Sequence, residues 1–158
     1  MQRVEAEEFE ALFVQLYPTV VRRLTVILHD LELARDLTQE TYLRAYRARN
    51  SFDGRSPLAW IMSIGVRLAL NETRRHRRFR SAFERLVRRQ SQRGEVQLDE
   101  MELWDALTDV PPTNRAAIVL TMIEGYTYAE AAAILGVPPG TVGSWVSRGK
   151  AILRQELG

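Results

Sequence analysis

Residues suited to gripping a polyanion recur at helical spacing between positions 60 and 78: Trp60, Ser63, Arg67, Asn71, Arg74 and Arg78. The cations can pair with phosphates, the small polar groups can hydrogen-bond, and an aromatic can meet an unstacked base. Ile61, Ile64 and Leu68 follow another stripe of the same predicted helix and read as its buried face. Arginines thicken beyond it, at positions 74, 75, 77, 78, 80, 85, 88, 89 and 93, against one acid, Glu84. Six acids and no base follow between Gly94 and Val110. The net charge, 22 basic minus 20 acidic or +2, hides this polarity. The basic block is an electrostatic footprint for phosphate.

Other chemistry finds little support. Cysteine is absent, which removes disulfides, thiolate metal sites and cysteine nucleophiles together. The two histidines, His29 and His76, are isolated, so no metal site is expected. No nucleophile–base pairing or phosphate loop is visible, so the expectation is no catalytic residue, no cofactor and no enzyme. No apolar run approaches the roughly 18 residues that span a bilayer, and no signal-peptide pattern opens the chain. A soluble cytoplasmic protein without membrane insertion is expected.

The elements that must position these residues are helices; the fold class expected is all-α. Phe9, Leu12, Phe13 and Leu16 form an apolar stripe over residues 5–17, and Pro18 is expected to end that helix or to start the next, with a second helix over 19–28. Asp30 can cap a third helix from Leu31 to about Arg49, with Ala34, Leu37, Thr41, Tyr42 and Ala45 inward. Its opposite stripe, Asp36, Gln39, Glu40, Leu43 and Arg47, places a leucine among polar groups, where a docked partner would account for it. A turn-rich loop over Asn50–Arg55 follows, and Ser56 caps a helix with Pro57 at its first position. Helices are expected over 101–107 and 114–124, parted by Pro111 and Pro112. Two small helical domains result, residues 1–80 and 101–158, joined by a flexible linker over 81–100. A linker of about 20 residues reaches at most ~65–70 Å, roughly two duplex turns at about 3.4 Å per base pair.

The sharpest local pattern is Gly125 to Arg154. Thr127 and Glu130 form a capping box, Gly136 provides a left-handed stop, and Pro138, Pro139 and Gly140 forbid continuation. Thr141 is the predicted cap of a second helix running to about Leu157. Two capped helices with so short a turn cross steeply and leave the second free to enter a major groove. The C-terminal domain therefore reads as a helix-turn-helix.

Ala34-Arg35-Asp36-Leu37-Thr38-Gln39-Glu40-Thr41-Tyr42-Leu43-Arg44-Ala45-Tyr46-Arg47 resembles the region two core of the extracytoplasmic-function sigma factors of bacterial RNA polymerase. Ser56 to Ile61 is similar to the following loop-to-helix junction; Leu107 to Arg115, Gly125 to Gly136 and Gly140-Thr141-Val142 are similar to region four. The resemblance covers nearly the whole chain. It implies that Asp36, Gln39, Glu40, Leu43, Arg44 and Arg47 bind the clamp helices of the largest subunit of core polymerase. It implies minus-ten promoter contacts at Asn50, Ser51, Asp53 and Arg55, the loop that would trap a flipped base. Trp60, Ser63, Arg67, Asn71, Arg74, Arg75 and Arg78 would hold the opened strand. Minus-thirty-five contacts fall to Thr141, Ser144, Trp145, Arg148 and Lys150. The linker would thread toward the RNA channel, and an anti-sigma factor is an implied partner. The chain departs from the family at Gly143 and Trp145, where early recognition-helix cations are usual, and at Arg67 and Tyr46. Two alternatives stand beside this: a sigma-like decoy that binds an anti-sigma factor, and an autonomous helix-turn-helix regulator.

Overall fold

A computed structural model describes residues 6–52, 56–76 and 106–157. The linker expected over 81–100, the contacts expected at Asp53, Arg55 and Arg78, and the side chains of Arg74 and Arg75 lie outside the described part. Among the described residues the secondary structure is helical, with no strand.

Helix α1 runs unbroken over Ala6–Leu28, with Pro18 inside it. Two helices had been expected here. Proline removes the hydrogen bond to the carbonyl four residues back, that of Val14. Val14 is 79% exposed and Pro18 also faces outward, so water can satisfy that carbonyl and the helix continues. His29 closes α1 in a left-handed conformation at φ 53°. By length and composition the stretch Glu7–Leu28, with mean hydropathy 1.4, could cross a membrane. Its contacts are those of a core helix: Val20, Leu24 and Ile27 are fully enclosed, and α1 packs on both helices that follow it.

Asp30 caps α2 (Leu31–Arg47), accepting from Leu33 N at 3.1 Å. A 3-10 turn over Arg49–Ser51 follows. Helix α3 (Pro57–His76) starts where Ser56 Oγ accepts from Ala59 N at 3.2 Å. Its buried stripe is Ile61, Met62, Val66, Ala69 and Leu70; Ile64 and Leu68 flank it, a rotation of about one position from the expected face.

Helix α4 (Pro112–Ile118) begins two residues before the expected Asn114, because Pro112 suits the first turn, where no amide partner is needed. It passes into a π turn over Val119–Ile123, with Glu124 N donating to Val119 O at 2.9 Å. In α5 (Tyr128–Leu135) both halves of the Thr127–Glu130 capping box form at 3.1 Å, and Gly136 ends the helix at φ 70°. Helix α6 spans Pro139–Leu157. Thr141 sits within its first turn and is not its cap; the carbonyl of Pro138 receives Thr141 N at 3.0 Å and Val142 N at 3.4 Å. Pro139 at the first helical position moves the start forward.

Helices α1, α2 and α3 form one bundle, and α4, α5 and α6 another. The two bundles also touch: α1 and α3 pack on α4, and α3 reaches α5 and the π turn. Apolar residues of both join in one cluster, with Val20, Leu24, Ile27 and Val66 continuous with Ala116, Ala117, Leu120 and Ala131.

Candidate nucleic-acid interface

The α3 stripe is built by helix geometry alone. With Ile61, Met62, Val66 and Ala69 enclosed, Arg67 and Asn71 must face outward, and both are exposed. Ser63 is half-buried and its hydroxyl donates to Trp60 O at 2.6 Å. Trp60 is half-buried rather than free: its ring lies 5.4 Å from Phe52 and 6.2 Å from Phe9, in an aromatic group at the rim of the core. One ring edge thus serves packing while the residue borders the polar stripe. Asn50 and Ser51 are exposed on the 3-10 turn.

Two residues that sequence reasoning passed over position this turn. Arg49 lies over the Tyr46 ring at 4.2 Å and donates to Tyr46 O at 2.9 Å, which locks the end of α2 to the turn. Phe52 anchors the far side on Trp60. An arginine three residues after an aromatic, and an aromatic in a polar loop, were the available signals.

On α2 the buried side is Ala34, Thr38, Thr41 and Ala45. Tyr42 is pinned to α1: its hydroxyl donates to Phe13 O at 2.9 Å and its ring stacks on Phe13 at 4.0 Å. Burial, aided by the nearby Tyr17 phenol, pushes the Tyr42 hydroxyl up to about 12. The outward side carries Asp36, Gln39, Leu43, Arg44 and Arg47, all exposed, with Glu40 half-buried. Leu43 is 52% exposed. Arg44 pairs with Glu40 at 3.1 Å, one turn back along the helix. An exposed pair of this kind contributes little to stability and leaves both groups able to meet a partner.

The helix-turn-helix presents a different chemistry. Gly140, Ser144, Ser147, Arg148 and Ala151 are exposed on α6; Thr141 and Lys150 are half-buried. Trp145 packs against the apolar cluster, and its carbonyl accepts from Asn114 Nδ2 at 3.0 Å. The first two turns therefore offer hydroxyls and bare backbone, with Arg148 the first exposed cation on α6. Gly143 adjoins the Tyr128 ring, where an added Cβ would make an ordinary 3.5 Å contact, so packing does not demand glycine there. Tyr128, 46% exposed at the start of α5, was not among the expected contacts. Its signal was an aromatic directly after the helix cap. Among the described residues no group of three His, Cys, Asp or Glu is placed to hold a metal.

Residues 12–79 match the family described as Sigma-70 region 2, and residues 100–153 match that described as Sigma-70, region 4. The ECF RNA polymerase sigma factor SigE of Mycolicibacterium smegmatis is 36% identical over 137 residues, which cover 82% of this chain and 52% of that protein. This chain thus spans about half the length of that relative. RNA polymerase sigma factor CarQ of Myxococcus xanthus is 30% identical over 96% of this chain and 90% of its own. ECF RNA polymerase sigma factor SigC of Mycobacterium tuberculosis is 33% identical over 89% and 79%. Among solved structures, the sigma factor RpoE of Bartonella quintana, in complex with the anti-sigma factor NepR, superposes with a TM-score of 0.65 at 24% identity. That match covers 96% of this chain and 98% of the other. CnrH, in complex with the cytosolic domain of CnrY, gives 0.56 at 27% identity, covering 97% and 89%.

Proposed function

Because the chain belongs to the extracytoplasmic-function family of RNA polymerase sigma factors, we propose that it joins core polymerase and directs promoter-specific initiation of transcription. The single observation that carries this reading is the exposed α2 face centred on Leu43, in the segment matched to region 2. Asp36, Gln39, Glu40, Leu43, Arg44 and Arg47 would dock on the clamp helices of the largest subunit. Residues 1–80 would act as the minus-ten module. Asn50 and Ser51, with Asp53 and Arg55, would receive a flipped base. Trp60, Ser63, Arg67 and Asn71 would hold the displaced strand, with Arg74, Arg75 and Arg78 adding phosphate contacts. Residues 101–158 would read the minus-thirty-five element through Thr141, Ser144 and Arg148, with Lys150 and Trp145 in support. Residues 81–100 would join the two. The chain itself would form and break no covalent bond and need no cofactor or metal, the chemistry being the polymerase's, and it would act in the cytoplasm.

Run-off transcription tests this. Core polymerase plus the protein should initiate at a promoter that core alone ignores, and transcript starts mapped with and without the protein would expose that promoter's sequence. No new start sites at any promoter would reject the reading.

One observation favours a second reading. The exposed stripe of α6 lacks a cation before Arg148, and Trp145 is turned toward the core. Each lost bidentate base contact is worth about 1–3 kcal/mol of discrimination, which suits a sigma-like decoy that captures an anti-sigma factor. CnrH was solved in complex with the cytosolic domain of CnrY, and an anti-sigma partner is proposed for this chain. The exposed Arg67 and Asn71 weigh against a pure decoy, since capture of a protein needs no phosphate contacts. An autonomous helix-turn-helix regulator would bind duplex DNA tightly without polymerase.

A further inference from the structure

Arg49 opens the 3-10 turn that carries Asn50 and Ser51, and two contacts place its side chain. The guanidinium lies over the Tyr46 ring, 4.2 Å from its centroid, and Nη1 donates to Tyr46 O at 2.9 Å. That carbonyl belongs to the last turn of α2, where the helix dipole favours a cation. Closing a helix end in this way engages only one N–H of a guanidinium. Among the described residues no carboxylate takes up the rest of the Arg49 fork, whereas Arg44 on the same helix is paired with Glu40.

The setting of this charge is rigid. Phe9 meets the Tyr46 ring edge-on at 5.8 Å and Trp60 at 6.2 Å, and Trp60 meets Phe52 at 5.4 Å. Arg49 and Phe52 flank Asn50 and Ser51, so both ends of the turn are moored to one aromatic group. The backbone closes over it as well, with Ser51 N donating to Ala48 O at 2.8 Å and Phe52 N to Arg49 O at 3.3 Å. A planar fork already held in place loses less freedom when it binds a further group. The ring face also keeps water off one side of the guanidinium, which strengthens any charge pairing made on the other. Arg47, exposed two residues earlier, adds to the positive potential.

We propose that Arg49 is a phosphate-binding residue, holding the backbone phosphate next to the base that Asn50 and Ser51 receive. Asn50 and Ser51 are exposed and can hydrogen-bond a base edge, but they carry no charge. A nucleotide joins base and phosphate through one sugar, so a base seated on them brings its phosphate to the neighbouring residue. Paired phosphate oxygens match the parallel N–H groups of an arginine fork. That the strand is a promoter's rests on the sigma-factor reading; the affinity of this fork for a phosphate in single-stranded DNA does not.

The probe is a fluorescein-labelled single strand of random sequence, bound by the full-length protein over a range of salt. Each phosphate contact in a single strand contributes about 0.7 to the slope of log affinity against log salt. Arg49→Gln should lower the slope by about that amount, and Arg49→Lys, which keeps the charge, should restore it. Arg49→Met, which keeps an apolar stem over the ring, replaces Arg49→Gln should the latter lose its helical circular dichroism. A residue that only closes α2 would give a lower urea midpoint at unchanged slope, and that result would overturn the proposal. The second arm uses core polymerase, the protein and the promoter found by mapping transcript starts. Neutral methylphosphonates placed singly along the minus-ten strand should weaken the parent complex at one linkage that no longer matters in the uncharged variant. Equal losses at every linkage in both proteins would place the phosphate on another residue and overturn the assignment. A slope that falls as stated, while no form of the protein initiates at any promoter, would support the phosphate contact and reject the sigma-factor reading instead. Normal initiation with an unchanged slope would do the reverse.

Discussion

The Tyr42 phenol adds one hydrogen bond, to Phe13 O, to the packing of α2 on α1. The folded Tyr42 hydroxyl titrates at about 12, above the ordinary value near 10, so the folded chain holds that proton longer than the unfolded one does. The stability owed to this group is intact below about pH 10 and falls as pH rises through 12. Tyr42→Phe should cost about 0.5–1.5 kcal/mol in urea unfolding at neutral pH and should erase the alkaline loss. Glu124 behaves likewise on the acid side. Burial raises its carboxyl above the ordinary range, and attraction and hydrogen bonding from Arg23 pull it only partly back. Its contribution is fully present below about pH 4.3 and is lost as pH rises through the raised value. Unfolding midpoints of Glu124→Gln against the parent across that window should show a flatter dependence on pH; parallel curves would remove Glu124 from the account. Neither group was conspicuous in the sequence, because a tyrosine on an apolar stripe or a glutamate at a helix end becomes special only through what is packed on it.

At the scale of elements, capping residues announced their helices. Asp30, Ser56, the Thr127–Glu130 pair and Gly136 act on amides and carbonyls within a few residues, so their effect is local and readable. Pro18 misled because its cost depends on whether the carbonyl one turn earlier faces water, which the finished packing decides. The π turn was unreadable for a related reason: it sets Glu124 against a residue 101 positions away, and no local pattern announces that contact. Gly65 sits where α3 comes close to both α1 and α2. A Cβ there would stand 3.3 Å from both the Leu24 side chain and Thr41 Oγ1. Gly65→Val, which adds branches beyond that Cβ, should destabilise the fold by about 1–3 kcal/mol, read as a lower urea midpoint at unchanged m-value. A neutral result would mean that α3 can slide on α1.

The whole molecule sets two bundles side by side while leaving the α2 face open to a partner. Leu43→Ala combined with Asp36→Ala should weaken capture of core polymerase, measured by co-migration on a sizing column. The same pair should change stability by no more than about 0.5 kcal/mol each, as surface substitutions do. Capture that survives the double change would detach this face from the polymerase. The order of two modules was legible from the charge switch, the proline pair and the helix-turn-helix. Their contact was not, since Arg23, Ile27, Arg115 and Glu124 carry no mark of one another along the chain.

What the sequence alone determined is everything that acts over one or two turns: helical class, most helix ends, the helix-turn-helix, and the polar stripes of α2 and α3. Periodicity and capping are short-range, and a reader of residues sees them directly. Tertiary structure decided the continuity of α1, the inward setting of Trp60 and Trp145, the wide turn before Glu124 and the packing of the two bundles on each other. Each of these depends on which distant side chains compete for the same buried volume or the same unsatisfied carbonyl, and that competition is settled only when the whole chain is packed.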